Sequence, residues 1–227
     1  MRLCVPSYQF PGTWLSNIEK LAGLSWIEGI ELLFFSFDAD ARELFSAERD
    51  RVAAFSERFF FSLHLPDPLS PADVDLVGMT ASFVDLYVLH PYGGKGETRE
   101  IGDWVPMGET LRSDYGADRF ALEYTGRETF EMSHALLPEI GLCADTGCLI
   151  REGLSPVDWI LEHEAFVREI HLHAARGGKD HFPLSESDIW VLELARRAAQ
   201  SDWIVNLETF SLEDTLGSRD MLRRQLP

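Results

Sequence analysis

Short apolar runs rich in aromatic and β-branched residues recur along the chain, at roughly 2–7, 29–35, 59–65, 83–90, 119–125, 140–145, 167–173 and 202–208. ELLFF, FFFSL and VDLYVL are apolar almost without interruption, as strands covered on both faces are. The stretches between them have the length of crossover helices. Three show apolar residues at 3- and 4-residue spacing: NIEKLAGL (17–24), DADARELFSAERDRVAAFSERF (38–59) and ESDIWVLELARRAAQ (186–200). Asp38 suits the N-cap of the second, and Pro183 and Ser185 lead into the third. Eight strand–helix alternations, with no GxGxxG loop after the first strand, predict a single-domain α/β protein over 1–227, folded as a (β/α)8 TIM barrel rather than an open doubly wound sheet.

Two connections break the pattern. PYGGKGETREIGDW, within 91–118, is glycine-rich and polar, and is expected to form a mobile loop over the barrel mouth before a short helix; a plain surface loop is the alternative. YQFPGTWLS (8–16) is unusually apolar for a loop. It either lines a substrate pocket or packs against the first helix.

The polar residues that interrupt the runs gather at their C-terminal ends. FFFSLHL ends near His64, FVDLYVLH in His90, FALEYT near Glu123, IGLCAD in Asp145, VREIHLH in His171 and His173, and IVNLE in Glu208. A glycine-flanked loop adds Asp180 and His181. Active sites of (β/α)8 barrels sit at that end, and these side chains are those that bind divalent cations. Strand alternation points Ser62 inward with His64, Asn206 with Glu208, and His173 with His171. Glu123, Asp145, His171 and Glu208 offer a mixed oxygen and nitrogen shell that suits Zn²⁺ or Mn²⁺, and Mg²⁺ less well. With His64 and His90 beside it, Glu123 could bridge two ions, as in phosphodiester hydrolysis.

Each residue alone has a duller explanation. A strand-end His is commonly a hydrogen-bonded structural residue, a strand-end acid a helix N-cap, and Asp145-Thr146-Gly147 a simple turn. What favours a metal site is the coincidence of six strands. Glu31, inside GIELLFF, is expected to pair with a basic group in the barrel floor or to accept a proton. Cys148 either reaches a metal or is a free buried thiol, and His134 and His163 are read as surface. Arg176 and Lys179 are candidate phosphate contacts or solvent-facing loop charges.

A formal charge of −18 opposes attraction to nucleic acid, but not to a small phosphorylated ligand beside a bound cation. Three cysteines form no disulfide framework and suit a reducing compartment. No run approaches the ~20 apolar residues of a membrane span, and MRLCVPSY lacks the features of a secretion signal. A cytoplasmic enzyme with a small-molecule substrate is expected.

The motifs resemble the xylose isomerase-like TIM-barrel superfamily, which includes endonuclease IV (AP endonuclease family 2) and sugar isomerases and epimerases. They run through essentially the whole chain: His64, His90 and Glu123 ending three strands, ADTGC with Asp145, HLHA with His171, GGKDH with Asp180 and His181, and Glu208 on the last strand. The resemblance implies that Glu123, Asp145, His171 and Glu208 are metal ligands, that His64 and His90 are the extra pair of the endonuclease branch, and that Asp180 and His181 serve a third ion. Cys148 departs from the histidine usual there, which puts that third ion in doubt. VPSYQFPGTWLSN, GIELLFFSFD, SLHLPDPLS, VLHP, HLHAARGGKDHFPL and NLETFS resemble, more narrowly, the cobamide-remodelling phosphodiesterases. That likeness implies hydrolysis of the nucleotide loop of a corrinoid, with Glu123 and Glu208 catalytic and His173, Arg176 and Lys179 facing substrate. The alternative is a metal-dependent sugar or sugar-phosphate isomerase or epimerase, in which Glu123 and Glu208 shuttle a proton.

Overall fold

Each apolar run becomes a strand, trimmed at its ends where the chain turns away. The computed structural model describes residues 1–93 and 101–225. The strands are β1 (Arg2–Pro6), β2 (Gly29–Leu33), β3 (Phe60–His64), β4 (Leu86–Leu89), β5 (Phe120–Glu123), β6 (Gly141–Asp145), β7 (Val167–His171), β8 (Ala174–Arg176), β9 (Lys179–Phe182) and β10 (Ile204–Asn206). Eight of them close into a barrel in the order β1-β10-β7-β6-β5-β4-β3-β2. All eight pairings are parallel. The connecting helices are α1 (Trp14–Leu21), α2 (Ala39–Ala54), α3 (Pro71–Thr80), α4 (Ile101–Tyr115), α5 (Arg127–Leu136), α6 (Thr146–Arg151), α7 (Pro156–Glu162), α8 (Trp190–Ala198) and α9 (Leu212–Gln225).

Strand alternation sorts the side chains into two cores. Ile30, Leu32, Phe61, Leu63, Leu122 and Ile170 face outward into the layer shared with the helices. Cys4, Leu86, Val88, Ala121, Cys143 and Ile204 fill the barrel interior. Small and branched residues serve there because eight strands leave room only for interdigitated side chains. One irregularity adjusts the pattern: Leu142 pairs with Val167 but Cys143 with Glu169. The extra residue, Arg168, lets Val167 join the helix layer while Glu169 and His171 turn inward.

Several helix starts follow from local chemistry. Asp38 caps α2 by accepting from the Ala41 N–H at 3.0 Å. Ser70-Pro71 and Ser155-Pro156 open α3 and α7 with a hydroxyl followed by a proline at the first helical position. Helix boundaries differ from the sequence pattern at four places. The helix expected over 38–59 ends at Ala54, where the chain tightens into a 3-10 turn at Phe55–Glu57. The first helix starts three residues before Asn17, because Thr13 accepts from the Ser16 N–H at 3.2 Å. The last of the three helices expected from periodicity begins at Trp190, after a turn in which Ser185 binds the Asp188 carboxylate. The segment expected as a loop and short helix holds a 15-residue helix, α4, containing Ile101, Gly102, Asp103 and Trp104. Trp104 is buried in the helix layer and anchors it there. Residues 94–100 of the expected loop lie outside the described residues.

The connection 8–16 packs on α1: Asn17 accepts from the N–H groups of Gln9 and Phe10 and donates to the Phe10 carbonyl. Among the described residues no helix is long and apolar enough to cross a membrane.

Truncating the fully buried Phe61, which packs edge-on against Phe83 at 5.8 Å, removes a ring from the helix layer. Phe61→Ala is therefore expected to destabilise by about 3–5 kcal/mol, whereas Leu44→Ala, on the exposed side of α2, should stay within about 0.5 kcal/mol. Urea unfolding with an unchanged m-value checks both.

Candidate metal centre

The C-terminal ends of β3, β5, β6, β7 and β10 bring His64, Glu123, Asp145, His171 and Glu208 to one cavity floor, and His90 follows β4. Glu123 stands at the middle. Its Oε1 lies 2.8 Å from His171 Nδ1; its Oε2 lies 2.7 Å from His90 Nε2 and 3.3 Å from His64 Nε2. Ligand-type atoms of Glu123, Asp145, His171 and Glu208 fall within 4.8 Å of one another, and so do those of His64, His90 and Glu123.

Each of the three rings is anchored from behind. His64 Nδ1–H donates to the Leu65 carbonyl at 3.0 Å. His90 Nδ1–H faces the Asp67 carboxylate at 3.1 Å, and His171 Nε2–H donates to Glu31 at 3.1 Å. Asn206 donates to the other oxygen of Glu31 at 2.5 Å. With those N–H groups turned outward, three lone pairs point at the shared centre. A carboxylate or carbonyl behind a histidine is the usual arrangement around a metal ligand. The bare Nε2 atoms of His64 and His90 are 3.3 Å apart beside a carboxylate oxygen, a repulsive grouping without a proton or cation among them.

The fourth ring differs. His173 Nδ1 accepts the His181 N–H at 2.9 Å, so its Nε2 carries the proton and faces Asp145 at 3.2 Å and Glu208 at 3.3 Å. The close approach of this ring requires Gly147, where a Cβ would lie 2.2 Å from His173 Cε1. That is the physical content of the glycine in ADTGC. His181 stacks on His173 with centroids 4.4 Å apart and adopts a positive φ of 58°.

The electrostatics call for positive charge. Burial opposes a charge on His90, yet Glu123 and Asp67 outweigh it and raise its pKa to about 10. Burial likewise works against ionised Glu208, but His171 and His173 lower it to about 2. Burial opposes a proton on His173, while Asp145 and Glu208 pull it up to about 10. The His181 amide, which needs a lone pair at Nδ1, resists a second proton there, which leaves Nε2–H directed between Asp145 and Glu208. Glu208 Oε2 is buried without a well-aligned hydrogen-bond partner among the described residues. The donor set, its tautomers and this unpartnered carboxylate oxygen fit a divalent cation.

The remaining sequence candidates divide between the cavity and other places. Asp180 lines the cavity wall but pairs with Arg151 at 2.9 Å rather than joining the acids of the floor. His181 lines the same cavity; its Nδ1 lies 3.2 Å from the Glu208 carbonyl oxygen, and ligand-type atoms of His173, His181 and Glu208 fall within 4.8 Å of one another. Cys148 is buried, and burial pushes its thiol pKa up, so it is a neutral neighbour. Arg176 binds Asp188 at 2.6 Å and Ser185 at 2.8 Å, Lys179 is exposed, and neither lines the cavity. The geometry does not bring these two cations to the site, because β8 and β9 form a hairpin that turns them away. Gly177 and Gly178, both at positive φ, make its tight turn. His134 and His163 are half-buried rather than on the surface, stacking on Phe130 and Trp159. Glu31 pairs with a ring, as expected.

Sequence reasoning missed Asp67, Glu169, Arg127 and Arg151. Asp67 had a signal, a carboxylate three residues after His64 in a loop. Glu169 also had one, as the inward neighbour of His171 on β7. It accepts from Ser62 at 3.1 Å, and burial followed by the nearby Glu31 raises its pKa to about 8. Arg127 and Arg151 are the cationic side chains lining the cavity of about 720 Å³ among the described residues, and only the folded chain shows that.

No family model and no curated protein sequence matches the chain. Solved structures do. A D-tagatose 3-epimerase-like protein is 17% identical with a TM-score of 0.68, over 99% of this chain and 97% of that one. A probable 3-DHS dehydratase of petrobactin synthesis from Bacillus anthracis is 14% identical with a TM-score of 0.67, covering 98% of each chain. The 3-keto-D-glucoside 4-epimerase of E. coli is 12% identical with a TM-score of 0.67, over 99% of this chain and 98% of that one. At these identities the likeness is one of architecture: the chain shares the closed (β/α)8 barrel of these structures.

Proposed function

We propose that the chain is a metal-dependent phosphodiesterase whose centre offers two sets of ligands for divalent cations, with Glu123 a member of both. One observation carries this reading: the two oxygens of Glu123 face separate imidazole sets, His171 on one side and His64 with His90 on the other. A single-ion centre needs only Glu123, Asp145, His171 and Glu208, and leaves the second histidine pair without a task. His64, His90 and Glu123 would hold one cation, the quartet the other, with Zn²⁺ or Mn²⁺ suited to these donors. Cations held there would supply charge to polarise a phosphoryl oxygen and to lower the pKa of water.

The chain's own residues do the rest. Asp67 and Glu31 fix the ring tautomers, and the His173 Nε2–H orients Asp145 and Glu208. In the hydrolysis water adds to phosphorus, a P–O bond breaks, and the leaving oxygen takes up a proton. The open cavity, with Leu33, Phe34 and Phe35 on one wall, accommodates a substrate larger than a simple sugar. The nucleotide loop of a cobamide is the substrate that the sequence resemblance implies.

A second reading, a metal-dependent sugar or sugar-phosphate isomerase or epimerase, is favoured by the names of the structural neighbours. In it Glu123 and Glu208 move a proton between adjacent carbons, and His64 and His90 contact substrate hydroxyls.

Glu123→Ala is expected to abolish both metal content and turnover, since both ligand sets lose a member; full occupancy in that variant, by elemental analysis, would remove the basis of either reading. Asp67→Asn, which only weakens the anchor behind His90, should cost about 10- to 100-fold in metal affinity or activity.

The deciding assay offers cobalamin and a panel of ketoses and ketose phosphates to protein loaded with zinc or manganese. Release of an α-ribazole-containing fragment, with His64→Ala and His90→Ala lowering kcat far more than they raise KM, is the expected result. Sugar interconversion without corrinoid cleavage, with the two substitutions acting mainly on KM, would establish the second reading instead.

A further inference from the structure

The resemblance implies a third cation for Asp180 and His181, with Cys148 at the adjoining position. In the folded chain a side chain occupies that corner. Among the described residues, neither Cys148 nor Asp180 falls within any convergent group of metal-type ligands, whereas His181 groups instead with His173 and Glu208. The Arg151 guanidinium spans them: Nη1 lies 2.9 Å from Asp180 Oδ2, and Nη2 donates to Cys148 Sγ at 3.1 Å. We propose that Arg151 is the cation of this corner of the cavity, standing where a third metal ion would otherwise be held, and that it binds a phosphoryl oxygen of the substrate. The proposal rests on the reading of this cavity as the active site.

Several features converge on Arg151. It closes α6, which begins directly after Asp145, and the Asp145 carboxylate accepts the Cys148 N–H at 2.6 Å. One short, capped helix therefore links a member of the metal-binding quartet to the thiol that positions the guanidinium. Arginine has five N–H donors in a planar fork that matches phosphate oxygens. Only two of its nitrogens are engaged by Asp180 and Cys148. Its side chain is 38% exposed and lines the same cavity as Asp145, His181 and Glu208. In a chain of charge −18, an anionic substrate needs such a group beside the metals. Arg176 does not serve, being held by Asp188 outside the cavity.

The test compares wild-type protein with Arg151→Gln, Arg151→Lys, Asp180→Asn and Cys148→Ser, each loaded with zinc or manganese. Elemental analysis gives the metal content, and calorimetric titration with inorganic phosphate gives the affinity. Metal content should be equal throughout. Phosphate should bind about 10- to 100-fold more weakly to Arg151→Gln, less weakly to Asp180→Asn, and Arg151→Lys should recover part of the loss. Unchanged phosphate affinity in Arg151→Gln, or no phosphate binding by the wild type, would overturn the proposal. So would loss of a cation from Asp180→Asn or Cys148→Ser, which would make those residues ligands. Neither readout uses turnover. Failure to convert cobalamin or sugars would defeat the proposed reaction and leave Arg151 in place; unaltered phosphate affinity would do the reverse.

Discussion

Glu123 is a carboxylate that the fold has taken out of water and surrounded with imidazoles from three other elements. An isolated buried charge costs several kcal/mol, and only well-placed partners offset it. His171 reaches it from β7, His64 from β3 and His90 from the turn after β4. β4 pairs directly with β5, whereas β3 and β7 each lie two strands away and reach Glu123 across the curved sheet. The position of Glu123 is thus a constraint on five strands, and each ring is in turn held from behind: His64 by the adjoining Leu65 carbonyl, His90 by Asp67 and His171 by Glu31.

The same constraint explains the polar layer just beneath. Glu31, Ser62, Glu169 and Asn206 occupy inward positions that an ordinary barrel fills with branched apolar side chains. Glu31 orients His171 and is itself fixed by Asn206, so one of the four acts directly on the centre and a second acts through it. Glu169, with one buried oxygen unpartnered and its pKa raised to about 8, is the least comfortable of them. It stands next to Glu31, where burial and like charge both favour the protonated acid. Leu86, Ala121 and Ile204 fill the remaining interior, while Cys4 and Cys143 sit in register with the polar residues, Cys4 beside Asn206 and Cys143 beside Glu123 and Glu169.

The cavity mouth shows how a strongly acidic chain can receive an anion. Acids supply the floor, and the positive charge comes from whatever cations the floor holds together with Arg127 and Arg151 on the wall. Asp180 and Cys148 hold the Arg151 guanidinium in a fixed direction, which gives a phosphate a defined seat rather than a diffuse field.

Much of this was legible along the chain, because the relevant signals are local. Eight short, nearly uninterrupted apolar runs determined the strands. Their order, with helical stretches between, leaves few topologies open to a parallel sheet. Ligand-type residues at the C-terminal ends of those runs marked His64, His90, Glu123, Asp145, His171 and Glu208, since the period of two makes every strand-end residue's direction readable from its companions. Tertiary structure alone decided the rest. Whether His173 presents a lone pair or a proton depends on the His181 amide, which arrives from a hairpin turned by Gly177 and Gly178. Arg151 lies one helical turn beyond Cys148, but its partner Asp180 is 29 residues further on, and no periodicity links them. Arg176 carried the same charge and a nearer place in sequence to the strand-end histidines, yet Asp188 draws it away. A cation's partner is set by which carboxylate lies within about 3 Å after folding, and that is a property of the closed barrel, not of spacing along the chain.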